Sequence, residues 1–224
     1  MKCEAIIFDL DGTLLNTLDD LADANNQALV ELGFPTHPVE DYKYHIGNGV
    51  RLLLERTLPE DARDDAMVEK GMAMMKQAYE KCWDNKTQPY AGVGELLDEL
   101  TRRGVRMAIL SNKPHAYTCM IVDKLLANWQ FEEVWGVSDT VPPKPDTTGV
   151  FALAEKMGVA PADFAYLGDT GTDMETATAA GMFAIGVLWG FRTPDELTQN
   201  GAKVLISAPA ELLGVLDPDA PKTL

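Results

Sequence analysis

Cysteine is scarce in this chain: Cys3, Cys82 and Cys119 are the three present among 224 residues. Odd in number and far apart, they form neither a disulfide framework nor a zinc-ligand spacing. Buried or incidental thiols in a reducing compartment are the expected state. Basic residues are also short, with 19 Lys and Arg against 35 Asp and Glu and a formal net charge of −16. That balance argues against non-specific nucleic-acid binding, which needs a basic face. It also means that an anionic substrate needs positive charge supplied locally. No apolar run approaches the length of a membrane span, and Met1-Lys2-Cys3-Glu4 enters a strand pattern at once, without a signal-like apolar region. The expectation is a cytoplasmic protein, monomer or homodimer, with neither nucleic acid nor membrane as a partner. Internal repeats and low-complexity segments are absent as well.

What is present is a globular composition, 46% hydrophobic. The length suits one sizeable domain, or one domain carrying a smaller insert. The chain is organised around its head. Ala5-Ile6-Ile7-Phe8 reads as a strand buried on both faces, as in a parallel sheet under helices. Asp9-Leu10-Asp11-Gly12-Thr13 follows. In an extended backbone residues i and i+2 point the same way, so Asp9 and Asp11 share one pocket, and Gly12 lets the chain turn sharply. Two carboxylates in one place repel, and two roles account for the pair: holding a divalent cation such as Mg²⁺, which prefers oxygen ligands, or dividing nucleophilic and proton-transfer work. A solvated Asp/Gly turn is the plainer alternative. A calcium loop fits poorly, because Gly stands fourth rather than sixth and a strand precedes it.

From Thr17 the apolar period becomes helical through Leu18, Leu21, Ala22, Asn25, Ala28, Leu29 and Leu32, with Thr17 and Asp20 resembling a capping pair and Gly33 a stop. A segment from Pro38 to Tyr44, the turn Ile46-Gly47-Asn48-Gly49, a helix from Val50 towards Pro59 and a helix over 62–83 follow. The methionines of that last helix read as a core-facing stripe rather than an adaptable binding surface. Nothing between Thr17 and Trp83 reads as a strand. After Pro89 strands and helices alternate, which predicts a doubly wound α/β fold with helices on both faces of a parallel sheet. The expected division is a core of 1–16 and 88–224, with an all-helical insert of 17–87 after the first strand. Three later strands end in polar groups: Ser111-Asn112-Lys113, Asp139 followed by Pro143-Lys144-Pro145, and Gly168-Asp169-Thr170-Gly171-Thr172-Asp173. In such a sheet these ends share one edge with Asp9, and four of them together predict an active site.

These residues resemble the haloacid-dehalogenase-like (HAD) phosphohydrolase superfamily over nearly the whole chain. Asp9-Leu10-Asp11-Gly12-Thr13 is similar to its first motif, Ser111-Asn112 to its second, Lys144-Pro145 to its third, and Gly168-Asp169 through Asp173 to its fourth. The helical insert resembles its small cap domain on a Rossmann-like core. Within the family the resemblance is to phosphoglycolate phosphatases, on Ile46-Gly47-Asn48-Gly49-Val50, Ser111-Asn112-Lys113-Pro114 and Gly190-Phe191-Arg192-Thr193. Asn16 stands where members often carry Asp, and Thr147 where they often carry a second Pro. Asp11, which dehalogenase members lack, favours phosphate chemistry.

The resemblance implies a Mg²⁺-dependent hydrolysis of a small phosphorylated metabolite, 2-phosphoglycolate foremost. Asp9 is then the nucleophile and Asp11 the acid and base. The Asp9 carboxylate, the Asp11 carbonyl and Asp169 hold the metal, with Asp173 close by or orienting a metal-bound water. Lys144 offsets charge beside Asp9. Ser111, with Gly12 and Asn112, holds the phosphate. Gly47, Asn48 and Gly49, with Arg51 as helper, face the leaving group. The alternatives are a sugar-phosphate mutase of the same superfamily, similar to beta-phosphoglucomutase, and a catalytically idle binding module. Each motif residue also has a bland reading: a solvated Lys144, a helix cap at Ser111-Asn112, a helix N-terminal Asp173, an interhelical turn at Gly47-Asn48-Gly49. Asp169-Thr170-Gly171 matches the aspartic-protease tripeptide, but that chemistry needs two copies and the chain has one.

Overall fold

A computed structural model describes residues 3–216. The elements run β1 (Ala5–Phe8), β2 (Leu15–Asn16), α1 (Leu18–Leu32), α2 (Tyr42–His45), α3 (Val50–Thr57), α4 (Asp65–Cys82), β3 (Gln88–Pro89), α5 (Val93–Arg102), β4 (Arg106–Pro114), α6 (His115–Leu125), β5 (Glu133–Val137), α7 (Thr148–Met157), β6 (Phe164–Gly168), α8 (Gly171–Ala179), β7 (Phe183–Val187), α9 (Pro194–Gln199), β8 (Val204–Ile206) and α10 (Glu211–Leu216). The main sheet has the order β5-β4-β1-β6-β7-β8, and every pairing in it is parallel.

The alternation of β1 explains why the strand is apolar throughout. Ala5 and Ile7 face one layer, with Val150, Leu153 and Met174 of α7 and α8. Ile6 and Phe8 face the other, with Leu96 and Leu97 of α5 and Ile121 of α6. A strand covered on both sides leaves no position for a polar side chain until it ends. The chain leaves β1 towards β4 and β5 on one side and returns to β6 on the other. The carboxyl end of β1 is therefore the topological switch point, where a crevice opens in this type of sheet.

Between β2 and β3 the regular structure is all helical, as the period of the sequence predicts. The two chain crossings are tied side by side: Leu15 pairs with Pro89 and Asn16 with Gln88 in an antiparallel ribbon. Thr17 and Asp20 depart from the expected capping pair, since Thr17 makes no side-chain cap at α1. Asp20 is fully buried and instead accepts from the Lys86 and Thr87 N–H groups at 2.8–3.1 Å and from Thr87 Oγ1 at 2.7 Å. Its carboxylate pins the outgoing helix to the returning strand. The helix expected over 62–83 begins at Asp65, because Glu60–Ala62 forms a 3-10 turn after Pro59 and the Asp64 side chain caps the helix through the Met67 N–H. Of the expected core-facing stripe, Gly71, Met75 and Ala78 are buried, whereas Met67, Met72 and Met74 are only half-buried. No helix among the described residues is long and apolar enough to cross a membrane.

Candidate active site

Asp9 is the first residue past β1, and the other strand ends converge on it. Lys144, buried, directs its ammonium at three oxygens: Asp9 Oδ1 at 2.7 Å, Asp173 Oδ1 at 2.7 Å and the Leu110 carbonyl at 3.1 Å. The loop carrying Lys144 is held by Asn112, whose Oδ1 accepts from the Lys144 N–H at 2.7 Å and whose Nδ2 donates to the Lys144 carbonyl at 3.2 Å. Asp173 sits in the first turn of α8, in a capping box with Thr170. Its Oδ2 accepts from the Thr170 N–H at 3.1 Å and hydroxyl at 2.6 Å. One Asp173 oxygen caps the helix, the bland reading of this residue, while the other grips Lys144. Asp169, immediately after β6, is fully buried. It accepts from Thr13 Oγ1 at 3.1 Å and from the Phe191 N–H at 2.8 Å. Gly12 packs against it at φ +91°, where a Cβ would lie 2.3 Å from an Asp169 oxygen. Only glycine gives both that conformation and that approach.

Asp11 lies across the same opening, paired to the buried ammonium of Lys113 at 3.0 Å. Its Oδ1 is buried without a hydrogen-bond partner. Asp9, Asp11, Ser111, Asn112, Gly47 and Gly49 are among the residues around a cleft of about 50 Å³. The Ser111 hydroxyl accepts from the Lys113 N–H at 3.2 Å. The Gly12 N–H is already bonded to the Leu15 carbonyl at 2.9 Å, so Gly12 shapes the turn rather than offering its donor to a ligand. Asn48 turns away from the opening, donating to Thr172 Oγ1 at 3.1 Å and accepting from Arg56 at 2.9 Å. The expectation for Arg51 is corrected. Its guanidinium is exposed on the helical surface among Glu55, Asp65 and Glu69, because i,i+4 spacing and the facing α4 supply carboxylates there. It does not line the cleft.

The electrostatics of the cluster are unbalanced. Carboxylate oxygens of Asp9, Asp169 and Asp173 lie within 4.8 Å of one another, all buried, and one ammonium, Lys144, stands among them. Two unit charges ~4 Å apart interact by ~4 kcal/mol at an effective dielectric near 20. Burial pushes the Asp9 carboxyl above its ordinary range, against the pull of Lys144. Burial, reinforced by Asp173, raises Asp169 to about 7. A nucleophilic carboxylate has to be ionised, so a second positive charge here would relieve the cluster. The donors are all oxygen, which fits Mg²⁺. Asp173 accepts four hydrogen bonds, from Lys144, the Thr170 N–H and hydroxyl and, at 3.5 Å, the Tyr166 hydroxyl, which fills the roughly four acceptor sites of a carboxylate, whereas Asp169 accepts two. Asp9 and Asp169 therefore keep acceptor sites with which they could hold a cation, whereas Asp173 is taken up by Lys144 and its helix cap.

Four further residues take part that sequence reasoning gave no role: Lys113, Thr13, Tyr79 and Arg192. Thr13, Lys113 and Arg192 stand inside the quoted motifs, which was the available signal, whereas Tyr79 enters only because its ring lies 5.1 Å from the Lys113 ammonium. Arg192 spans from the core to the helical segment, donating to the Ile46 carbonyl at 2.8 Å. Asn112 Nδ2 makes a parallel link to the Gly47 carbonyl at 2.9 Å.

Residues 6–187 match the family model described as haloacid dehalogenase-like hydrolase. A phosphoglycolate phosphatase of Pseudomonas putida is 32% identical over 225 aligned positions, covering 98% of this chain and 82% of that protein. One from Pseudomonas syringae pv. tomato is 33% identical, covering 96% and 80%. Among solved structures, a candidate phosphoglycolate phosphatase from Lactobacillus delbrueckii subsp. bulgaricus superposes with a TM-score of 0.90 at 29% identity, covering 96% of this chain and 99% of that one. With Asp9, Lys144, Asp169 and Asp173 gathered at the switch point of its sheet, this chain belongs to the haloacid dehalogenase-like hydrolase family.

Proposed function

We propose that this hydrolase cleaves 2-phosphoglycolate, using Mg²⁺ and a phosphorylated Asp9. It is a phosphoric monoester hydrolase, in keeping with its family and its relatives. The finer reading rests on one observation above the others: the buried convergence of Asp9, Asp169 and Asp173 around Lys144. The glycolate assignment is drawn from the Pseudomonas relatives and from the small cleft beside Gly47 and Gly49. In this reading 17–87 is a cap over a core of 1–16 and 88–224, and its loop at Gly47 faces the leaving group.

In the mechanism, Asp9 attacks phosphorus, the P–O ester bond breaks, and Asp11 gives a proton to the departing oxygen. Asp11 then takes a proton from the water that hydrolyses the aspartyl-phosphate. The unpartnered Oδ1 of Asp11 is the oxygen left free to carry that proton, while Lys113 fixes the other at 3.0 Å. Lys144 holds Asp9 Oδ1 in place and offsets phosphate charge. Ser111 is placed to bind an equatorial oxygen, where charge spreads in phosphoryl transfer. Mg²⁺, held by Asp9, Asp169 and the Asp11 carbonyl, would supply charge neutralisation for substrate and nucleophile. The test is phosphate release from a panel of phosphomonoesters with Mg²⁺ and with excess chelator. Metal-dependent turnover with 2-phosphoglycolate ranked first is expected. Full activity in chelator overturns the metal, a different first-ranked ester overturns the substrate, and bisphosphate-dependent isomerisation in place of phosphate release would identify a mutase.

A further inference from the structure

Beside the cleft lies a second, larger cavity that the reading above does not use. This open cavity has a volume of about 300 Å³, against about 50 Å³ around Asp9. The larger volume falls at the lower end of the ~300–1,000 Å³ typical of small-molecule sites. Leu21, Val50, Lys113 and Pro114 wall both spaces, so the cavity adjoins the cleft. Tyr117 of α6 and the α4 residues Glu69, Lys76 and Tyr79 complete the lining, and α4 also presents Met72, Ala73 and Met75. These are apolar, and the methionines are unbranched side chains that adapt to different shapes. Two polar groups stand where the chamber meets the cleft. The Lys113 ammonium is engaged by Asp11 at 3.0 Å and lies 5.1 Å from the centre of the Tyr79 ring. The Tyr79 hydroxyl is buried and has no hydrogen bond of normal geometry. A buried hydroxyl without a partner is costly, and a ligand oxygen reaching the junction would relieve it.

We propose that this chamber is a leaving-group subsite for alcohols with an aromatic or alkyl body, so that the chain hydrolyses their phosphomonoesters as well as 2-phosphoglycolate. The phosphoryl group occupies the cleft at Asp9, the ester oxygen lies at the junction near Asp11 and Tyr79, and the apolar body enters between Met72, Met75 and Pro114. Overall, the ester and water become the alcohol and inorganic phosphate, with Asp11 returning the proton it lends. A group as small as glycolate leaves the chamber empty, and an apolar body of the right size fills it. The inference rests on the phosphatase reading for its catalytic arm, and its binding arm is independent of turnover.

Two measurements test it. With Mg²⁺ present, naphthylmethylphosphonate, which cannot be hydrolysed, binds at least tenfold tighter than methylphosphonate by calorimetry, and Ala73→Trp removes that advantage. Ala73 is exposed on α4, so a larger side chain is compatible with folding, and an unchanged circular-dichroism spectrum verifies it. In the catalytic arm, the ratio of kcat/KM for naphthyl phosphate to that for 2-phosphoglycolate falls at least tenfold in Ala73→Trp, chiefly through KM. Equal affinities for the two phosphonates overturn the subsite whatever the enzyme turns over. An apolar advantage that survives Ala73→Trp overturns its location. Absence of turnover on every ester, with the binding difference intact, would count against the phosphatase reading and leave the subsite standing.

Discussion

The two sides of the cleft are built differently. On the core side, Asp9, Lys144, Asp169 and Asp173 are buried and cross-bonded, and Lys144 alone directs its ammonium at three oxygens. On the helical side, the loop at Gly47 meets the core through a few links, from Asn112, Asn48 and Arg192, and beyond it lies an apolar chamber with methionine in its wall. Preorganised charge is effective only when its own groups need not move during the reaction. Selection among leaving groups tolerates, and uses, a softer surface. In the proposed reading, chemistry falls to the strand ends and discrimination to the helices.

The sharpest way to break that comparison is Asp9→Asn. An amide is a poor nucleophile and a poor metal ligand, so kcat should fall by roughly 10³-fold or more, with every ester affected alike. The carboxamide keeps the volume, so the fold should survive. Retention of most activity in steady-state assays of the purified variant would remove Asp9 from the nucleophile's role. A smaller and selective effect is expected on the other side. Gly47 has φ +113°, and a Cβ there would reach ordinary contact with Arg192 and Thr170 at 3.5 Å. Gly47→Val therefore acts through backbone strain, typically ~1–3 kcal/mol for a non-glycine residue in such a region. It should reduce kcat/KM for 2-phosphoglycolate at least tenfold and that for phenyl phosphate much less. Arg51→Ala serves as the internal control and should stay within twofold on both. Equal losses on both esters in Gly47→Val would make the loop a plain turn.

The mildest expected effect is on stability, and its sign follows from Asp169. In the metal-free fold this group holds its proton up to about pH 7, against an ordinary value of 3.8. Between those values the folded state binds more protons than the unfolded one, so this group's contribution to stability falls as pH rises through that window. In the proposed reading Mg²⁺ would bind the ionised cluster and offset the loss. Thermal melts should therefore show a larger Mg²⁺-induced rise in Tm at pH 7.5 than at pH 5. An equal rise at both pH values would separate the metal from Asp169.

How much of this was legible in the chain depends on range. The apolar run Ala5–Phe8 followed by Asp9-Leu10-Asp11-Gly12 specifies a buried strand and a shared carboxylate face through neighbours alone, and the structure has that strand at the centre of its sheet. Strand-helix alternation after Pro89 likewise fixed the parallel architecture, because period and burial are local properties of each element. One helix start drifted by a few residues where a turn and a cap intervened, at Asp64 before α4.

The sequence by itself determined which residue types stand at the strand ends, since an apolar strand buried on both faces has to place its first carboxylate where it stops. Which partner each charge takes was decided only in three dimensions. Asp20 looks like a helix cap until Lys86 and Thr87 return beside it. Arg51 looks like an anion ligand until α4 brings Asp65 and Glu69 to it. Lys113 acquires a role only because β4 and the turn after β1 place it against Asp11. Short-range burial writes its pattern into consecutive residues, whereas an ion pair depends on the folded distance between segments that are far apart in sequence, and no local pattern encodes that distance.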